Sequence, residues 1–173
     1  MSTKDYSSKQ EHLIASSLGW RVVSGSGSRA FHVGDVWSDT WLGECKTHID
    51  PGHTIVFNQS VWKKIRDEAM AKGRYPILFV DDGSQSIDHT WCMIPSYTLP
   101  NMAFFLHHLR VHNYPYDVRK NISFKSDALQ VELKKLHEPS EAEFGDVFSV
   151  ILGCPCYICR FDVFQYFCEL MGW

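Results

Sequence analysis

Hydrophobic and polar positions follow two periods along this chain, and the alternation between them predicts its elements. Residues 5–18, DYSSKQEHLIASSL, bring Leu13, Ile14, Ser17 and Leu18 to one side at helical spacing, and Gly19 stops the run. Trp20 to Ser24 is β-branched and aromatic, which predicts a short strand. HVGDVWS and TWLGECKTHI then predict a hairpin turning around Ser38 to Thr40. After an Asp50-Pro51-Gly52 turn, TIVF is extended, and Asn58 or Ser60 caps a helix over SVWKKIRDEAMAKG. Val61, Ile65 and Ala69 share a face of that helix, and Gly73 ends it. The apolar run ILFV suits a buried strand, Asp81-Asp82-Gly83 a turn, and HTWCMI a further strand that Pro95 ends.

The second half continues the mixture. One helix is predicted after Pro100, and another over SDALQVELKKLHE with Ser126 as its cap and Leu129, Val131, Leu133 and Leu136 for packing. The polar stretch at 138–146 is a connection. The end, FGDVFSVILGCPCYICRFDVFQYFCELMGW, predicts a strand, a tight turn, a short strand and an apolar helix. Strands interleaved with helices imply an α/β fold, a mixed sheet flanked by helices. Its expected division is a core over 1–95 and an α/β extension over 96–173 packed on it, together one compact domain.

Composition supports a packed core: 173 residues are 45% hydrophobic and 14% aromatic. The formal net charge of −3 is not that of a simple DNA-binding protein, although basic residues gathered on one face would suffice for phosphate contacts. No apolar run approaches the ~20 residues that cross a bilayer, and the polar start MSTKDYSSKQEH lacks a signal-peptide core, so a cytoplasmic protein is expected. Six cysteines without a secretory signal are read as reduced thiols. Cys154, Cys156 and Cys159 have a spacing suited to zinc, but CYICRF is itself strand-like, and buried thiols are the preferred reading.

The chemistry concentrates in the hairpin. Residues two apart on a strand point to one face, so Glu44 and Lys46 project together while Cys45 packs behind them. The turn folds Asp35 back beside the pair. Two carboxylates and an ammonium in one place suit a hard divalent cation such as Mg²⁺, which can activate water and neutralise a phosphodiester, with the lysine steadying the nucleophile or the developing charge.

Gly34-Asp35 followed by Glu44-Cys45-Lys46 resembles the PD-(D/E)xK nuclease signature, with Gly34 standing where many members carry proline. Glu11 on the first helix, the SGSGSR loop and a helix opening with Gln59 follow in the order of the archaeal-type Holliday junction resolvases, phage-encoded forms included, and of VRR-NUC nucleases. The resemblance covers roughly 9–80. It implies a restriction-endonuclease-like sheet and a Mg²⁺- or Mn²⁺-dependent endodeoxyribonuclease leaving a 5′-phosphate. Glu11, Asp35 and Glu44 would be metal ligands, Lys46 would orient the nucleophile or stabilise charge, and Gln59 would position water, metal or phosphate. The serine-bearing loop implies DNA contacts from Ser26 or Ser28 with Arg29, unless the loop is a plain linker.

Lys63, Lys64 and Arg66 on the exposed side of the second helix would meet the DNA backbone or simply be solvated. Residues 113–125 mix tyrosines with Arg119, Lys120 and Lys125, as at a nucleic-acid surface or an ordinary loop. His32, His48 and His53 are read as surface or DNA-facing. The implied partner is branched DNA, cut by a symmetric homodimer whose geometry selects a four-way junction. Alternatives are a restriction-like or VRR-NUC-type nuclease acting on flaps or duplex, and a non-catalytic nucleic-acid-binding protein retaining the fold.

Overall fold

The computed structural model describes residues 3–23, 33–99, 110–114, 120–129 and 145–173. Helix α1 (Thr3–Leu18) leads to strands β1 (Arg21–Val22), β2 (Val36–Trp37) and β3 (Trp41–Lys46). Strand β4 (Ile55–Asn58) runs into helix α2 (Gln59–Ala71), followed by β5 (Tyr75–Asp81) and β6 (Thr90–Pro95). Strands β7 (Arg110–Asn113), β8 (Asn121–Phe124), β9 (Asp146–Ile151) and β10 (Pro155–Arg160) precede helix α3 (Phe161–Met171).

The fold is α/β, with a mixed eight-stranded sheet in the order β1, β2, β3, β5, β6, β10, β9, β7. Strands β3 and β5 are parallel and joined by the α2 crossover, β7 and β9 are also parallel, and the other neighbours are antiparallel. Strands β4 and β8 form a separate antiparallel pair. The strands after residue 95 extend the same sheet, because β10 pairs with β6 and carries β9 and β7 with it.

Strand alternation divides the core between the two faces. In β5, Ile77 and Phe79 join Ile14, Trp41, Cys45, Phe161, Phe164 and Phe167 under α1 and α3. Leu78 and Val80 join Leu42, Trp62, Ile65 and the Phe57 and Phe124 side chains of the small sheet on the other face. Aromatic rings knit the first cluster: Trp41 meets Phe164 edge-on at 5.2 Å between centroids, and Trp20 meets Phe164 at 6.0 Å.

Several local expectations are corrected. In α2 the buried set is Trp62, Ile65 and Ala69, not Val61, because the larger indole takes the core side. In α1 the buried positions are Gln10, Glu11, Ile14 and Ala15, while Leu13, Ser17 and Leu18 are only partly covered. Asp81 is not a turn residue but the fully buried last position of β5, accepting from Thr47 Oγ1 at 2.6 Å and from the Gly83 amide at 2.7 Å. Residues 126–129 are helical, whereas the rest of that predicted helix and the one after Pro100 fall outside the described residues. Among the described residues, no helix is long and apolar enough to cross a membrane.

Cys154 and Cys156 lie with their sulfurs 3.6 Å apart, while Cys156 and Cys159 pack on opposite faces of the sheet. The three thiols therefore do not share one point.

Candidate metal centre

The hairpin register brings the acids together. Val36 pairs with Gly43 and Trp37 with Leu42, so the same register continued one step sets Asp35 beside Glu44. The Asp35 amide donates to the Gly43 carbonyl at 2.8 Å, and the Cys45 amide donates to Asp35 Oδ2 at 2.8 Å. Gly34 enters this strand at φ 70, a left-handed conformation closed to proline, whose ring holds φ near −65°. The chain thus reaches Asp35 by a different backbone route from one that carries proline there.

On β3, Glu44 and Lys46 share a face as expected, and Cys45 is buried on the other. Lys46 Nζ donates to Glu44 Oε1 at 2.6 Å. These residues end a strand that runs parallel to its neighbour, and the carboxyl ends of such strands are where open α/β sheets bind ligands.

Glu11 comes from α1 and is 8% exposed. Burial, then the charges of Asp35 and Glu44, push its carboxyl up to about 7, with Lys46 opposing. Asp35 is pushed up to about 6 by burial and by Glu44, against the Cys45 amide and the charges of Lys46 and Lys64. Burial would lower the Lys46 ammonium, but the charge and hydrogen bond of Glu44 outweigh it, and the lysine is held above its ordinary value. Glu11 and Asp35 thus share one electrostatic environment beside Glu44, in which their own negative charge is costly until a cation offsets it.

Two residues join this site without a clear signal in the sequence. Gln10, 1% exposed, donates through Nε2 to the Lys46 carbonyl at 3.0 Å and fastens α1 to the end of β3. Lys64 of α2 reaches Glu44 Oε2 at 3.5 Å. It belongs to the site rather than to a purely exposed helical face. Its helical neighbour Val61 and the capping residue Asn58 line a cleft of ≈ 250 Å³ against Lys46, Thr47 and His48.

Gln59 is not brought to the carboxylates. It is exposed at the start of α2, its amide donates to Asn121 Oδ1 at 3.2 Å, and its Nε2 lies beside Gly153 with Arg66. Asn58, not Ser60, is the cap, accepting from the Ser60 and Val61 amides. Lys63 pairs with Asp67 at 2.6 Å on the exposed face. The His48 and His53 rings stack at 4.5 Å between centroids. Ser26, Ser28, Arg29, His32 and Arg119 lie outside the described residues, and Lys125 donates to the Gly52 carbonyl at 2.9 Å.

Glu11, Asp35 and Glu44 offer only oxygens, the donor type that a hard divalent cation takes, and their mutual repulsion would fall on cation binding. Among the described residues, no three His, Cys, Asp or Glu side chains are gathered to ligate one ion as they stand. Asp35 Oδ2 is engaged by the Cys45 amide and both Glu44 oxygens by lysines, so a cation would compete with those ammonium groups. Comparison of the chain with protein-family models, curated proteins and solved structures finds no match.

Proposed function

We propose that this chain is a divalent-metal-dependent endodeoxyribonuclease, with Asp35, Glu44 and Lys46 at its centre and Glu11 completing the acidic set. One observation carries the reading. The β2 and β3 register aligns Asp35 with Glu44, and Lys46 is paired to Glu44 at 2.6 Å. The resemblance to the PD-(D/E)xK nucleases names the same residues in the same order, and the mixed sheet with its α2 crossover is compatible with a restriction-endonuclease-like core.

A Mg²⁺ or Mn²⁺ ion held by Asp35, Glu44 and Glu11 would supply Lewis-acid activation of water and charge neutralisation at phosphorus. The protein's own groups do the positioning. The Cys45 amide fixes Asp35, leaving Oδ1 for a ligand. Lys46, with its side chain 46% exposed, can turn from Glu44 toward an attacking water or a phosphate oxygen. Gln10 holds the backbone of Lys46 in place.

The finer reading, selection of a four-way junction by a homodimer, rests on the resemblance. Leu170 and Met171 on α3, 43% and 42% exposed, offer apolar surface for such an association. The test incubates labelled four-way junction, flap and linear duplex with Mg²⁺, Mn²⁺ or EDTA. Metal-dependent cutting confined to the junction supports a resolvase, cutting of flap or duplex supports the broader nuclease reading, and binding without cutting supports a non-catalytic protein. Light scattering that shows only a 20.0 kDa species, with and without junction DNA, would exclude the dimer.

A further inference from the structure

Glu44 is a single carboxylate serving two ammonium groups. Lys46 sits on Oε1 at 2.6 Å and Lys64, from a different element, on Oε2 at 3.5 Å. A divalent cation bound through Glu44 would need one or both of those oxygens, and ammonium and cation repel one another at such range. Lys46 is carried on the same strand as Glu44 and stays over the site. Lys64 stands on α2 with its side chain 54% exposed, and its second partner, Glu68, is 3.8 Å away one helical turn on. Displaced from Glu44, the Lys64 head group keeps Glu68 as an anchor at the edge of the carboxylate cluster.

Charge balance gives the displaced lysine a use. Glu11, Asp35, Glu44 and Glu68 against Lys46 and Lys64 leave two net negative charges when all are ionised, which a divalent cation cancels. Without Lys64 the loaded centre would keep one net negative charge and repel an incoming phosphodiester.

We propose that Lys64 is a DNA phosphate-binding residue, held on Glu44 in the metal-free protein and transferred to a phosphate oxygen of the substrate when the metal site fills. This rests on the nuclease reading and names a substrate-binding group of the same site.

The test uses the full chain, with Ca²⁺ in place of Mg²⁺ to retain DNA uncut. The affinity for labelled DNA is measured across a salt series for wild type, Lys64→Ala, Lys64→Arg and Lys72→Ala, a solvated lysine at the far end of α2. Mn²⁺ affinity without DNA is measured by calorimetry. Loss of one phosphate contact lowers the slope of log affinity against log salt by about one. That is the expected result for Lys64→Ala, with Lys64→Arg and Lys72→Ala keeping the wild-type slope and with Mn²⁺ bound at least as tightly by Lys64→Ala as by wild type, since a competing cation is gone. A wild-type slope in Lys64→Ala, or weakened Mn²⁺ binding, overturns the proposal and leaves Lys64 a structural ion-pair partner. If wild type cuts DNA while Lys64→Ala keeps its slope, the proposal alone falls. If wild type binds no Mn²⁺ and cuts no DNA, the nuclease reading falls with it.

Discussion

The backbone amide of Cys45 donates to Asp35 Oδ2 across 2.8 Å, tying the first acid of the site to the strand that carries the second. This bond depends on main-chain register, so Asp35 is positioned by the sheet and not by a neighbouring side chain. Asp35→Asn retains an oxygen to accept from the amide and removes the charge. The variant is expected to fold and to melt no lower than wild type in EDTA at pH 8, because it removes the burial cost and the repulsion from Glu44 that hold Asp35 at about 6. Calorimetric or fluorescence melting checks this.

The raised carboxyls make the metal-free protein sensitive to pH in a fixed direction. Glu11 moves from 4.5 to about 7 and Asp35 from 3.8 to about 6, so between those values the folded state binds more protons than the unfolded chain. Stability from these groups is full below about pH 4 and is lost as pH rises through about 7. In EDTA, wild type is expected to melt lower at pH 8 than at pH 5, with Glu11→Gln and Asp35→Asn each flattening the dependence. Added Mg²⁺ should raise the melting temperature more at pH 8 than at pH 5. A melting temperature independent of pH in wild type would contradict the coupling.

Gly43, next to Glu44 on β3, packs its backbone against the core side chains of Val36, Ile77 and Phe79. A Cβ there would lie 2.8 Å from Val36 Cγ2 and 2.9 Å from Phe79 Cε2. Gly43→Ala is expected to cost about 1–3 kcal/mol by overpacking. Urea denaturation of the purified variant measures it, and a loss of activity beyond the loss of folded protein would show that Glu44 moves with the strand.

The sheet continues past residue 95, and Phe164 of α3 fills the same cluster as Trp20, Trp41 and Phe79. Phe164→Ala should therefore destabilise the whole chain by about 3–5 kcal/mol. Unfolding followed by intrinsic fluorescence and by circular dichroism should remain one coincident transition. Two separated transitions would instead support independent units.

Much of the hairpin was legible in the sequence because strand alternation is local: it put Glu44 and Lys46 on one face and Cys45 behind them. The closing helix and its two preceding strands were legible for the same reason. Lys64 was legible as a DNA-facing lysine of α2, but its pairing with Glu44 and the contact of Gln10 with Lys46 were not, since they depend on how α2 and α1 cross the end of β3, which no periodicity encodes. Gln59 enters the site only by position in a resemblance, whereas Asn58 and Val61 are the residues on either side of it that line the cleft beside Lys46. Asp81 was misread because Asp-Asp-Gly is a turn signal by composition. Thr47 Oγ1 and the Gly83 amide both donate to Asp81 Oδ1 and hold it at the end of a buried strand, while Oδ2 is buried without a hydrogen-bond partner.

Lys46 is the group whose removal should separate binding from chemistry. Lys46→Ala is expected to slow cleavage by at least about 100-fold, as removing one charge-stabilising donor does elsewhere, while Mn²⁺ binding to the remaining carboxylates persists. Calorimetry and single-turnover cleavage together check the two halves.

The most direct test is the rate of DNA cleavage by purified wild type in Mg²⁺ and in EDTA, run beside Asp35→Asn. Cutting that needs the cation and falls by about 100-fold or more in the variant, with folding intact, is the predicted result. No cutting of any DNA in Mg²⁺ or Mn²⁺, or equal rates for wild type and Asp35→Asn, would contradict it.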